Sequence, residues 1–241
     1  MKEIKPDQHS TATKKEQVEH MFDSIAPKYD FLNHFLSAGI DKSWRKKAID
    51  MLKPFAPMHI LDVATGTGDL AIESLSLQPE VVTGIDLSEQ MLEVGRAKLK
   101  KLGLDDKIDL IKGDGERLPF MDESFDVVMI AFGIRNFQDP QAGLKEMRRV
   151  LKTGGHLMVL EFSKPTMFPF RQVFNLYFKY LLPTWGRMIS KSSNAYRYLP
   201  ESVKHFPQGQ EFAKILANSG FKNIIVQPLT LGTCSLYLSE K

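Results

Sequence analysis

The stretch Leu61-Asp62-Val63-Ala64-Thr65-Gly66-Thr67-Gly68-Asp69-Leu70-Ala71 decides the fold. Its apolar start, from His59 to Ala64, reads as a buried strand. Gly66 and Gly68 mark a tight turn, and the residues to Leu75 follow a helical pattern. Gly66, Gly68 and Ala71 satisfy G-x-G-x-x-G/A, and Asp86 stands 20 residues beyond Gly66. Strand, glycine turn and helix at this spacing match the dinucleotide-binding fingerprint, in which missing side chains let a ligand approach the backbone. A glycine turn that serves chain geometry alone is the plain alternative.

Downstream, short apolar runs alternate with helical stretches. Strands are predicted at 81–87, 108–111, 125–131 and 157–162, with helices from Ser88 to about Leu102 and from Gln141 to Leu151. A helix over 210–219 ends at Gly220, and strands near 224–228 and 235–239 follow with no helix between them. They predict an antiparallel hairpin at the sheet edge, with Cys234 on an edge strand. The fold class is therefore α/β: a seven-stranded, doubly wound, mostly parallel sheet with helices on both faces. Upstream, a helix from Lys14 carries Val18, Met21, Phe22 and Ile25 and stops before Pro27. A second, capped by Asp41, includes Trp44, Ile49 and Leu52. Residues 1–53 thus predict a tail and helical cap, and 54–241 the main domain. Residues 165–207 interrupt the alternation with ten apolar and aromatic residues, among them Phe168, Phe170, Phe174, Tyr177 and Trp185, and with Arg171, Lys179 and Arg187 between them. This insertion predicts a lid over the carboxyl ends of the strands, where open α/β sheets bind ligands.

Composition narrows the function classes. The 241 residues carry 32 Lys+Arg against 29 Asp+Glu, a net charge of +3, too small to point to nucleic acid by itself. The clusters Arg45-Lys46-Lys47, Lys98-Leu99-Lys100-Lys101 and Arg148-Arg149 are short and read as solvated helix faces. One cysteine excludes an intrachain disulfide and a multi-cysteine zinc site, and no metal is expected. Met1 to His20 is charged throughout, so no signal peptide is expected, and no apolar run is long enough to span a bilayer. The expected location is the cytoplasm, or the inner face of the cell membrane by peripheral contact.

Charge separates the candidate ligands of the glycine turn. A dinucleotide would bring a pyrophosphate against Asp62 and Asp69. S-adenosylmethionine has no phosphate and carries an ammonium and a sulfonium, so an acidic turn suits it better. Asp86 then fits the ribose hydroxyls, and Asp114, in Gly113-Asp114-Gly115, the adenine amino group. The expected cofactor contacts are Asp62, Gly66, Thr67, Gly68, Asp86, Asp114 and Gly115. A nicotinamide-dependent dehydrogenase is the rival on spacing alone.

Two longer stretches carry a narrower likeness: Tyr29-Asp30-Phe31-Leu32-Asn33-His34-Phe35-Leu36-Ser37, running on to Trp44, and Arg149 through Ser163, with Gly154-Gly155-His156 and Leu160-Glu161-Phe162 inside it. Leu118-Pro119-Phe120, Phe132-Gly133-Ile134-Arg135-Asn136 and Tyr196-Arg197-Tyr198-Leu199 agree. From about Glu16 onward the chain resembles the ubiquinone/menaquinone biosynthesis C-methyltransferases, within the class I S-adenosylmethionine methyltransferases. It departs from them at Asp41, usually histidine, at Thr153, usually proline, and at Ala131, where a serine associated with the cofactor is often found. The resemblance implies methylation of a ring carbon on a polyprenylated quinol. The substrate it implies first is 2-demethylmenaquinol, giving menaquinol, with the ubiquinone-pathway benzoquinol second.

A ring carbon attacks a sulfonium methyl well only when a neighbouring hydroxyl is at least partly ionised. With a phenol pKa of about 10, roughly one molecule in a thousand is the anion at pH 7, a deficit of about 4 kcal/mol. Arg135 is the candidate to favour the phenolate, because arginine stays protonated and has no acceptor. Asn136 can orient the quinol oxygen and Tyr29 can donate a further hydrogen bond. A salt bridge from Arg135 to Asp139 or Asp86, and a packing role for Tyr29, are the structural alternatives. The lid aromatics flanked by Arg and Lys suit a polyprenyl groove or a bilayer surface, or an ordinary crossover helix.

Overall fold

The computed structural model describes residues 4–37, 39–176 and 193–241. The cap comprises α1 (Lys14–Ile25), α2 (Tyr29–Leu36) and α3 (Ile40–Asp50). The main unit runs β1 (His59–Val63), α4 (Asp69–Ser74), β2 (Val81–Asp86), α5 (Glu89–Leu102), β3 (Ile108–Lys112), β4 (Phe125–Ala131), α6 (Pro140–Val150) and β5 (Leu151–Phe162). It is completed by α7 (Phe170–Leu176), α8 (Ser193–His205), α9 (Gln210–Asn218), β6 (Lys222–Leu229) and β7 (Cys234–Glu240). Residues 177–192 of the expected lid, with Tyr177 and Trp185, lie outside the described residues.

The seven strands form one sheet in the order β3-β2-β1-β4-β5-β7-β6. The first five are parallel, while β7 runs antiparallel to both neighbours. Strand order reverses at β1, which pairs with β2 on one side and β4 on the other. A ligand crevice is expected outside the carboxyl ends of the strands at such a point. Side chains alternate through the sheet, so Ile60 and Val82 pack into one core layer and Leu61, Val63 and Ile85 into the other. Both layers are dry, which is why these strands are nearly continuous apolar runs.

α1 begins in a capping box. The Thr13 hydroxyl accepts from Glu16 N–H, and the Glu16 carboxylate accepts from Thr13 N–H. Its apolar face, Val18, Met21 and Ile25, joins Leu32 and Tyr198 in a third core that belongs to the cap.

Three expectations are corrected. α2 was not expected, because Pro27 was read only as a stop. It sits in a short 3-10 turn (Ala26–Lys28), where its fixed φ and missing N–H suit the start of the next helical segment. Asp41 does not cap α3; Gly39, at φ 76°, precedes the helix, and Asp41 turns sideways in the first turn. Cys234 is not on an edge strand, since β7 lies between β5 and β6 and the thiol is fully buried.

Candidate active site

Two cavities meet at the carboxyl ends of the parallel strands. The first is a narrow slot of about 80 Å³ between the glycine turn, the ends of β2 and β3, and α1. Gly66, at φ 59°, needs the left-handed region that glycine occupies without strain. Its N–H donates to Asp86 Oδ2 at 2.8 Å, and Ser88 N–H donates to Asp86 Oδ1 at 2.9 Å. Burial pushes the Asp86 carboxyl above its ordinary range, against the pull of these two N–H groups. Asp114 Oδ2 lies 2.6 Å from Lys15 Nζ, which also reaches Glu116 at 3.2 Å. Burial opposes the Lys15 charge, but these two carboxylates outweigh it and hold the ammonium above its usual range. Gly115 is compulsory, because a Cβ there would come within 2.6 Å of the Phe137 ring and 2.9 Å of Val63. Among the described residues, Glu19, Asp86, Asp114 and Glu116 line the slot together with Lys15, and Lys112 pairs with Glu19 from outside it at 2.9 Å.

The second cavity, about 380 Å³, lies between the cap, β5 and α7. Its walls are mostly apolar, with Met21, Ile25, Leu32, Trp44, Phe162 and Phe170 among them. Arg135, on the 3-10 turn Ile134–Asn136, projects into it. Its Nη1 lies 2.7 Å from Glu161 Oε1 and also donates to the Phe132 carbonyl. The guanidinium stands 5.3 Å from the centre of the Phe162 ring. Burial raises the Glu161 carboxyl, and the Arg135 charge opposes that rise. Asn136 Nδ2 donates to the Phe132 carbonyl at 3.3 Å, which turns Oδ1 away from it. Arg135 Nε, Asn136 Oδ1 and the Tyr198 hydroxyl are all buried without a hydrogen-bond partner among the described residues. Tyr29 is kept neutral by burial, which raises its phenol above the ordinary value. Phe22, Tyr29, Phe132 and Asn136 line both cavities.

Of the residues expected at the site, Gly66, Asp86, Asp114 and Gly115 line the slot, Arg135 lines the apolar cavity, and Tyr29 and Asn136 line both. Asp62, Thr67 and Gly68 line neither. Asp62 is sealed in beneath the turn and accepts from the Thr65 hydroxyl at 2.7 Å. Burial pushes its carboxyl up to about 7, against the Thr65 hydrogen bond. Thr67 donates to Asp30 and accepts from Lys98 Nζ at 3.1 Å. Gly68, at φ 83°, serves the entry into α4. Asp69 pairs with Lys98 at 2.7 Å and Arg45 at 3.0 Å. Repulsion of a pyrophosphate by Asp62 and Asp69 therefore does not operate. The negative lining comes from Glu19, Asp86, Asp114 and Glu116 instead.

Asp41 takes part in a knot beside the second cavity. His34, Asp41 and Asp69 present ligand atoms within 4.8 Å of one another. The Arg45 guanidinium joins the two carboxylates, at 2.6 Å and 3.0 Å. Burial penalises the Asp41 charge, yet the Ser37 hydroxyl, Arg45 and His34 together hold it below the usual range.

Residues 10–241 match the ubiE/COQ5 methyltransferase family. The chain belongs to that family. It is 53% identical to a demethylmenaquinone methyltransferase of Bacteroides fragilis, over 95% of this chain and 94% of the relative. It is 47% identical to a ubiquinone/menaquinone biosynthesis C-methyltransferase UbiE of Geotalea daltonii, over 95% and 97%. Among solved structures, a SAM-dependent methyltransferase of Thermotoga maritima superposes with a TM-score of 0.65 at 23% identity, covering 92% of this chain and 99% of that one. The [4+2]-cyclase SpnF superposes at 0.68 and 17%, covering 96% and 97%. These two show the fold alone.

For this methyltransferase, sequence reasoning missed Glu161 and Lys15 as parts of the site. Glu161 carried a signal, because an acid inside the apolar run 157–162 has to find a cation once buried. Lys15 carried none, since its partners Asp114 and Glu116 are 99 and 101 residues away along the chain.

Proposed function

We propose that the chain transfers a methyl group from S-adenosylmethionine to a ring carbon of 2-demethylmenaquinol, giving menaquinol. The observation that carries this reading is the shared wall: an acidic slot and a large apolar cavity are separated by Phe22, Tyr29, Phe132 and Asn136. The name of the 53% identical relative favours the naphthoquinol over the ubiquinone-pathway benzoquinol.

The slot residues fit the donor. S-adenosylmethionine is cationic at ammonium and sulfur and presents hydroxyl and amino donors. Four carboxylates, balanced by Lys15 and, on Glu19, by Lys112, leave a negative lining that suits that charge. A pyrophosphate would meet the same carboxylates unfavourably, which speaks against a nicotinamide-dependent dehydrogenase. Asp86 would take the ribose hydroxyls and Asp114 the adenine amino group, where Lys15 Nζ already acts as a donor. Gly66 leaves the backbone open to close approach, and Gly115 lets Phe137 and Val63 pack against the slot wall. When bound, S-adenosylmethionine supplies an electrophilic methyl on a sulfonium.

Arg135, paired through Nη1 with Glu161, keeps Nε–H free of partners among the described residues, and in an apolar cavity that charged donor favours the phenolate more than it would in water. Asn136 orients the ionising oxygen, and neutral Tyr29 donates at the wall between the cavities. The structural alternative of a salt bridge from Arg135 to Asp139 or Asp86 is not what the structure holds: Arg135 pairs with Glu161, and Asp139 caps α6. Residues 1–53 act as a cap on the catalytic unit 54–241. Around the cavity mouth, Met167, Phe168, Val173 and Leu176 are exposed beside Phe170, with Arg171 among them. That combination supports peripheral contact with a bilayer, from which a polyprenyl tail can enter. No helix among the described residues is long and apolar enough to cross a membrane.

The test is mass spectrometry of quinones from a methyltransferase-deficient strain expressing this chain. Recovery of menaquinone supports the reading; continued accumulation of demethylmenaquinone, with folded protein present, defeats it.

A further inference from the structure

Three polar atoms in the apolar cavity are buried without partners among the described residues: Arg135 Nε, Asn136 Oδ1 and the Tyr198 hydroxyl. Leaving a buried polar atom unpaired is costly, so three in one cavity mark a place where a ligand supplies the missing bonds. Their types are complementary. Nε–H only donates, Oδ1 only accepts, and a phenol does either. Arg135 and Asn136 are consecutive on one 3-10 turn, so a single hydroxyl can accept from Nε–H and donate to Oδ1. That leaves the Tyr198 hydroxyl, which comes from α8, facing a different point of the same ligand.

We propose that Tyr198 is a further substrate-recognition residue, whose hydroxyl binds the second quinol oxygen while Arg135 and Asn136 hold the first. The assignment rests on the quinol reading of the cavity. Tyr198 is rigidly presented, since its ring packs with Val18, Met21, Ile25 and Leu32 in the cap core. Tyr198 is only 4% exposed, and its hydroxyl has no partner among the described residues. Burial keeps the phenol protonated, with its charged neighbours Arg135 and Glu161 acting in opposite senses. Two oxygens gripped from two elements fix the ring in its plane, and that fixes which ring carbon faces the wall toward the slot. A purely packing tyrosine would have no preference about the second oxygen.

The test compares the wild type with Tyr198→Phe on two probes: reduced demethylmenaquinone with a short prenyl chain, and the matching 1-naphthol that lacks the second hydroxyl. Removing one hydrogen bond is expected to lower kcat/KM for the diol about tenfold. The variant and the wild type should be equal on the mono-ol, with melting temperature and S-adenosylmethionine affinity unchanged. Equal kcat/KM on the diol, or the same loss on both probes, overturns the assignment and leaves the quinol reading standing. A wild type that binds and methylates neither probe overturns the quinol reading, and this assignment with it.

Discussion

Glu161 Oε1 lies 2.7 Å from Arg135 Nη1, and both side chains are almost wholly withdrawn from water. A pair so buried gives little net stability, but removing one partner strands the other charge at about 3–5 kcal/mol. Arg135→Ala is therefore expected to lower the melting temperature as well as turnover, with turnover falling at least about a hundredfold through loss of the oxyanion-stabilising charge. S-adenosylmethionine affinity should hold, because Arg135 does not line the slot. Calorimetric titration beside a quinol methylation assay checks this. Parallel loss of affinity and turnover would reduce the pair to a structural fixture.

Asp62 gives a pH signature. Its folded carboxyl titrates at about 7 against an ordinary value of 3.8, because of burial. Between those values the folded chain holds a proton that the unfolded chain releases, so the Asp62 contribution to stability falls as pH rises through that window. Asp62→Asn removes this loss. In urea unfolding, the variant should gain on the wild type between about pH 4 and pH 7. A difference that does not change with pH would contradict the assignment.

Gly115→Ala would drive a methyl group into the Phe137 ring, which also lies 2.4 Å from where a Cβ of Gly143 would stand. Phe137 is wedged between Gly115 and Gly143, so overpacking should cost about 1–3 kcal/mol. The displaced ring borders the slot, and S-adenosylmethionine affinity should fall with stability. Thermal melts with and without the donor give both numbers. An unchanged melting temperature would show that the contact relaxes freely.

Phe168 is 79% exposed on the segment leading into α7. Phe168→Ser combined with Met167→Ser, two exposed side chains that line neither cavity, should reduce co-sedimentation with anionic liposomes and leave turnover of a short-chain quinol intact. The proposed bilayer contact would run through such exposed side chains, which stand apart from the cavity walls. Unchanged sedimentation would remove the membrane from the account.

The sheet was legible because its strands are buried on both faces and its helices are amphipathic, so each change of period marks a boundary. β1, the glycine turn and Asp86 could be read from about twenty-five residues of sequence. α2 could not, since a proline both ends one helix and opens another. Asp62 misled because composition reveals an acid but not its direction. It faces the protein, while Glu19, which carried no local signal, faces the slot. Arg135 was visible as an isolated cation after a strand. Its true partner was not, because Glu161 reaches it only through the pairing of β4 with β5.

The four side chains common to both cavities form a party wall with a door on each side. A donor entering from one side and an acceptor entering from the other can then load independently, and the spent sulfur compound can depart while the methylated product is still in place. Such an arrangement imposes no compulsory sequence of arrival, and steady-state kinetics with both reactants varied should show random order.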